Sequence, residues 1–455
     1  VSGPSFSRLF VLNALMGICW LVMMSVTLIE SDAYRYAALS VIIIFVFFLP
    51  KEDNANLNDW LAVLCVACGS IALFRFLYQL IMTGEKGASE WLYAFPLLFP
   101  LLGRALYGSR SILRVVLACF FCVALLLLLI STDFARALTG ERIFPLFHQN
   151  PIHGAVGCGF LVIGAFYWAS HHYEVGSTRA VRTAVTSIAM LVIAIALFNI
   201  WGSKSKGVWL ALIPTFLLIV SSAFLFLRRK EVLVSLVAGV LLLGSGVFLA
   251  HQNILAVVGP TAKTVVTLYD DFMGGRSVSS ILGDAIASPE TPFSVDERLQ
   301  LWSNASEIIA ASPIFGSGNH WLAIWHTTHY AGIPYTLMHN GYLEVLVRHG
   351  FVGLAIYGLI FVASIYRVFR ASKQGLLSKS AFLCYFVCAI YFAFTILSNS
   401  NNRLALGESY VLLFSAVCFA CTISMKMARP DVESTPQSGA TVAEASMDRK
   451  RQTYA

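Results

Sequence analysis

The chain has 455 residues, 58% of them hydrophobic and 12% charged, with a formal net charge of +7 and a mean hydropathy of +0.75. Such a composition excludes a soluble globular domain and predicts an all-α, polytopic membrane protein. The basic excess falls in short loops between apolar segments, as membrane topology requires, so no nucleic-acid partner is implied.

Apolar runs long enough for a hydrocarbon core of about 30 Å recur along the chain. They predict about twelve spans, over 9–29, 35–50, 59–82, 91–107, 112–131, 152–170, 180–200, 207–227, 232–251, 340–366, 379–398 and 406–425. The first is not followed by a small-residue cleavage site and reads as a span rather than a signal peptide. The second is short and could re-enter, so orientation is tested independently by the basic residues. With the N-terminus inside, inward loops collect Arg104, Arg110 and Arg114, then Arg179 and Arg182, then Arg228 to Lys230, then Arg367 to Lys379. The loop at 51–58 lacks this signature. The expected units are nine spans over 1–251, a long helical periplasmic insert over 252–338, three spans over 339–425, and a disordered cytoplasmic tail over 426–455. All ten cysteines fall in predicted spans, and the pairs Cys65/Cys68 and Cys119/Cys122 are expected to be packing residues.

Within the insert, Ser294 is placed to cap a helix with Asp296 and Glu297 in its first turn, Leu301, Ala305, Ile308 and Ile309 on one face, and an end before Pro313. Outward loops carry exceptions to the basic-inside pattern. Lys204 and Lys206 lie in the tight link Trp201–Gly207 with no acid beside them, so they either meet an anionic lipid group or snorkel to phospholipid. Arg298, one helical turn before Trp302, suits a diphosphate through its fork of donors, unless Asp296, Glu297 or Glu307 pairs with it. Arg403 follows the turn Ser398–Asn402, which either closes the same site or ends a helix with solvated side chains. His320, His326 and His329 lack the cysteine or acidic partners of a metal site, and no metal or other cofactor is implied.

His339-Asn340 is followed, after nine residues, by Gly350-Phe351-Val352-Gly353 where the insert re-enters an apolar helix. This pattern resembles the signature of the O-antigen ligase and O-antigen polymerase superfamily. Ser205-Lys206-Gly207 resembles the family's Ser-Arg-Gly, with lysine in place of the usual arginine, and Arg298, Trp302, Pro313 and Gly316 to Gly318 resemble its loop pattern ahead of the histidine. Gly350, Gly353 and Gly358 are expected to serve close helix packing.

The resemblance implies a membrane-embedded glycosyltransferase, most like the ligase that joins undecaprenyl-diphosphate-linked O-antigen to the lipid A core at the periplasmic face of the bacterial inner membrane. His339 would act on the acceptor hydroxyl, with Asn340 and Trp302 in support. Lys206, Arg298, Lys204 and Arg403 would bind the diphosphate. An O-antigen polymerase and a protein O-oligosaccharyltransferase share this chemistry and differ in acceptor. A transporter or flippase also fits twelve spans, but its charges would sit at mid-membrane rather than gather at one outer face.

Overall fold

The computed structural model describes residues 6–48, 59–227 and 251–428. Among them the chain is helical without a named strand, and an isolated bridge pairs Ile29 with Phe147. The first half contains α1 (Phe6–Ser25), α2 (Ala33–Phe48), α3 (Trp60–Thr83), α4 (Phe99–Gly108), α5 (Leu113–Ser131), the short α6 (Phe134–Leu138), α7 (Pro151–Glu174), α8 (Arg179–Ser203) and α9 (Lys206–Ser222). The insert forms α10 (His251–Met273), α11 (Val278–Ala287), α12 (Phe293–Ala311) and α13 (Trp321–Trp325). The chain then returns through α14 (Gly341–Lys373), α15 (Lys379–Ser398) and α16 (Ala405–Met427).

Eight of the described helices are long and apolar enough to cross a membrane: α3, α5, α7, α8, α9, α14, α15 and α16. α1 and α2 are apolar but shorter. The protein is an all-α, multi-pass membrane protein. α7 and α16 stand at the centre of the bundle, with 67% and 72% of their apolar stretches buried, against 28% for α3, α5 and α14. The peripheral helices direct Phe74, Ile81, Val115 and Ile130 outward, as side chains facing lipid must be.

Several expectations need correction. The span over 91–107 is not one α-helix: residues Glu90–Leu98 wind as a 3₁₀ turn through Pro96, and α4 restarts with Pro100 in its first turn. Proline lacks the N–H that continuous i to i−4 bonding requires. The helix expected to be capped by Ser294 begins one residue earlier, at Phe293, with Pro292 at the cap position. Cys119 and Cys122 are exposed on α5 rather than packed. The span over 232–251 lies outside the described residues except for its last residue, as do the loop at 51–58, Arg228 to Lys230 and the tail from 429.

The insert builds its own small core. Leu301, Ala305 and Ile308 of α12 meet Trp321 and Trp325 of α13, Met338, and Val347 of α14. Burying Met338 in that cluster fixes the chain immediately before His339.

Candidate functional site

His339 adopts a left-handed backbone, φ 50°, a conformation that costs an L-residue about 1–2 kcal/mol. The chain on either side imposes it. The Met338 N–H donates to Glu344 Oε1 at 2.8 Å, and the Met338 carbonyl accepts from Trp302 Nε1 at 3.0 Å. On the other side Asn340 caps α14, its Oδ1 accepting from the N–H groups of Tyr342 at 3.0 Å and Leu343 at 3.2 Å. Trp302 therefore acts on His339 through the backbone, and Asn340 through the helix start.

Gly350 of the signature has a different job from helix packing. α14 breaks at Gly350, φ 64° and ψ −166°, a backbone region open essentially to glycine alone. The loop from Pro313 enters this break: Phe351 N–H donates to Pro313 O at 2.9 Å, Val352 N–H to Ile314 O at 3.1 Å, and Ser317 N–H to Val347 O at 2.9 Å. A Cβ on Gly350 would lie 2.3 Å from Ile314 O. Arg75 of α3 holds the same loop from outside, donating to Gly316 O at 2.6 Å and to Phe315 O at 2.5 Å. Gly358 has no neighbour within 4 Å of an added Cβ, so close packing does not explain it.

The turn after α15 is buried, not solvated. Asn399 Oδ1 lies 3.1 Å from His339 Nδ1, and Asn399 Nδ2 donates to Asn401 Oδ1 at 2.8 Å. With its amide nitrogen committed to Asn401, Asn399 presents oxygen to the imidazole, which assigns the proton to Nδ1 and the lone pair to Nε2. Burial pushes the His339 pKa below its ordinary 6.5; the Asn399 hydrogen bond opposes this and the charge of Arg298 adds to it. At neutral pH the His339 imidazole is therefore uncharged. Ser400 Oγ donates to Glu344 Oε1 at 2.7 Å, and Asn402 Nδ2 donates to Gly341 O at 3.0 Å.

Behind this turn lies a buried ion network. Arg348, 2% exposed, bridges Glu344 and Glu90, with its Nε 2.9 Å from the Glu90 carboxylate. Arg403 joins it: its guanidinium donates to the carbonyl of Ala88, stacks over Tyr93 at 5.1 Å and reaches Glu90 at 3.9 Å.

The other cations take separate paths. Lys204, at φ 53°, turns its Nζ to the carbonyl of Gly140. Lys206 starts α9, and its Nζ donates to Thr261 Oγ1 of the insert at 2.8 Å. Gly207 permits the approach of α9 to α15, since a Cβ there would lie 2.1 Å from Ser398 Oγ, one residue before Asn399. Arg298 is partly buried, and burial pulls its pKa below the ordinary guanidinium value. None of the three carboxylates expected to pair with it is in salt-bridge contact: Asp296 accepts from Gln300, Glu297 from Tyr335 and Glu307 from the His329 N–H, and only the charge of Glu297 reaches the guanidinium. The charge of Arg298 is felt at both Lys206 and His339. The structure thus brings His339, Arg298 and Lys206 into one electrostatic neighbourhood, while Lys204 and Arg403 have partners of their own.

His320 pairs with Glu85 at the far end of α3. Among the described residues no group of three or more His, Cys, Asp and Glu is arranged to hold a metal ion. An apolar cavity of about 260 Å³ opens below Gly341 between α14, α15 and α16, lined by aromatic residues including Phe95, Tyr357 and Phe392.

Residues 189–358 match the family model described as O-antigen ligase. This part of the chain is similar to the O-antigen ligase family. No curated protein matches the chain. The matched segment contains Lys204, Lys206, Arg298, Trp302, His339, Asn340 and the Gly350 break. Asn399, Ser400 and Arg75, which contact residues of the matched segment, lie outside it. A sequence signal existed for the first two, in the asparagine-rich turn. Arg75 stands within an apolar helix, and its isolation there was the only available sign.

Proposed function

We propose that the protein is an O-antigen ligase acting at the periplasmic face of the bacterial inner membrane, transferring a glycan from undecaprenyl diphosphate to a sugar hydroxyl of the lipid A core. The observation that carries this reading is the neutral, oriented His339 imidazole within reach of the charge of Arg298, a guanidinium with no carboxylate in salt-bridge contact among the described residues. His339 Nε2 accepts the proton of the acceptor hydroxyl as its oxygen bonds to the anomeric carbon. The bond from that carbon to the diphosphate oxygen breaks, and the electron pair leaves with undecaprenyl diphosphate. Arg298 and Lys206 stabilise the departing charge. A single displacement of this kind inverts the anomeric centre. The aromatic cavity below Gly341 suits a hydrocarbon chain of the lipid carrier. Arg403 is assigned to holding the Ala88–Glu90 turn against the site, and Lys204 to fixing the link ahead of Lys206.

The test begins with a strain lacking this gene. Loss of long-chain lipopolysaccharide with accumulation of carrier-linked polymer supports the ligase. A core bearing a single repeat indicates a polymerase, and loss of glycan from protein indicates an O-oligosaccharyltransferase. His339→Ala should then fail to restore ligation while His326→Ala restores it. Ligation by a well-expressed His339→Ala protein removes the histidine from the chemistry. Purified enzyme is expected to keep its activity in excess chelator, because the leaving group is already a diphosphate bound by cations.

A further inference from the structure

A second polar cluster lies at the start of α7, which packs on α15, the helix leading to Asn399, with Tyr391 Oη donating to Val156 O at 3.2 Å. Glu30, just past α1, is joined to the segment before α7 by the Ile29–Phe147 bridge, with Glu30 N–H donating to Phe147 O at 3.2 Å. Its carboxylate accepts the Gln149 N–H at 3.1 Å and lies 3.3 Å from Nδ1 of His153. His148 stands behind them, its Nδ1 4.0 Å from the same carboxylate and its Nε2 3.3 Å from Thr27 O. Among the described residues no lysine or arginine pairs with Glu30, and the side chains of His153 and Glu30 keep 13% and 34% exposure. The carboxylate can therefore hold the Nδ1 proton of His153, leaving Nε2 free as a hydrogen-bond acceptor.

His153 feels His339 and Glu30, whereas Lys206 feels Arg298. A diphosphate would be repelled by the uncompensated carboxylate of Glu30 and attracted to Arg298 and Lys206. A sugar hydroxyl has the opposite preference, because carboxylate and imidazole accept its hydrogen bonds without asking for charge. The two groups therefore differ in which part of a substrate they favour, phosphate at Arg298 and Lys206 and hydroxyls at Glu30 and His153.

We propose that Glu30 and His153 form the acceptor side of the site, with His153 Nε2 hydrogen-bonding an acceptor sugar hydroxyl and Glu30 positioning the imidazole. The assignment rests on the glycosyl transfer proposed above and adds to it which residues select the acceptor.

The experiment uses purified full-length protein in detergent with an undecaprenyl-diphosphate-linked O-antigen donor, and supplies lipid A core and free O-antigen glycan as parallel acceptors. The wild-type protein shows which acceptor it uses, so a failure of the ligase reading appears before any variant is compared. On that acceptor, His153→Ala should raise the acceptor KM at least tenfold while leaving the donor KM within twofold. Glu30→Ala should behave similarly, and Glu30→Gln should recover much of the loss because its amide oxygen accepts the same Nδ1 proton. If His153→Ala does not fold, His153→Gln is read by the same two constants. An unchanged acceptor KM, or a donor KM that rises with it, overturns the proposal, as does Glu30→Gln failing as badly as Glu30→Ala.

Discussion

His339 Nδ1 faces Asn399 Oδ1 at 3.1 Å, joining the first residue of the signature to a turn outside the matched family segment. Because Asn399 spends its own amide hydrogen on Asn401, it fixes which nitrogen of His339 is basic. Asn399→Ala should lower kcat by about tenfold to a hundredfold through loss of orientation, with the protein still folded. Steady-state transfer assays on detergent-purified protein check this, and wild-type kcat would remove Asn399 from the mechanism.

The pH dependence follows from the same environment. With His339 as the proposed base, the rate should fall as pH drops through its pKa, which burial holds below 6.5. Activity should therefore be on a plateau at pH 7. Removing the nearby cation in Arg298→Gln, or adding a carboxylate in Asn399→Asp, favours the imidazolium and should move the acid limb to higher pH. A profile of kcat against pH for the three proteins gives the answer, and a limb that does not move in either variant assigns the titration to another group.

Arg298 and Lys206 are expected to act on the leaving group. Arg298→Ala should lose about 2–4 kcal/mol of transition-state stabilisation, by analogy with deleted oxyanion donors, or a rate loss of roughly 30- to 1000-fold. Lys206→Ala should be impaired and Lys206→Arg active, since arginine restores a bidentate fork. Wild-type turnover of carrier-linked substrate by both alanine variants would leave these residues as anchors to phospholipid.

Trp302→Phe keeps the ring in the insert's core and deletes the N–H that holds the Met338 carbonyl. Stability should fall by about 1 kcal/mol, and kcat should fall further than stability alone explains, because His339 loses one restraint on its left-handed backbone. Thermal unfolding and kcat measured on the same preparation separate the two effects.

Gly350→Ala places a Cβ against Ile314 O in a backbone region that an L-residue avoids. Strain of about 1–3 kcal/mol from the backbone, plus the contact, should release the Pro313–Gly318 loop and lower the unfolding temperature. Gly358→Ala, with open space around it, should not. Equal thermal stability of the two variants would argue against the loop docking in the α14 break.

The membrane class, most of the spans, and the dense group of Lys206, Arg298, Trp302, His339 and Gly350 were legible in the linear chain, because hydropathy and short-range spacing are local properties. The helix over 91–107 was misread since an apolar run looks the same whether or not Pro96 interrupts its hydrogen bonds. Carboxylates near Arg298 in sequence looked like its partners, yet Tyr335, Gln300 and the His329 N–H occupy them. Only the packing of distant helices decided that Asn399 orients His339, that the Pro313 loop fills the break at Gly350, and that Glu30 meets His153. Such pairings depend on which helix ends converge in space, and no periodicity along a single helix encodes that convergence.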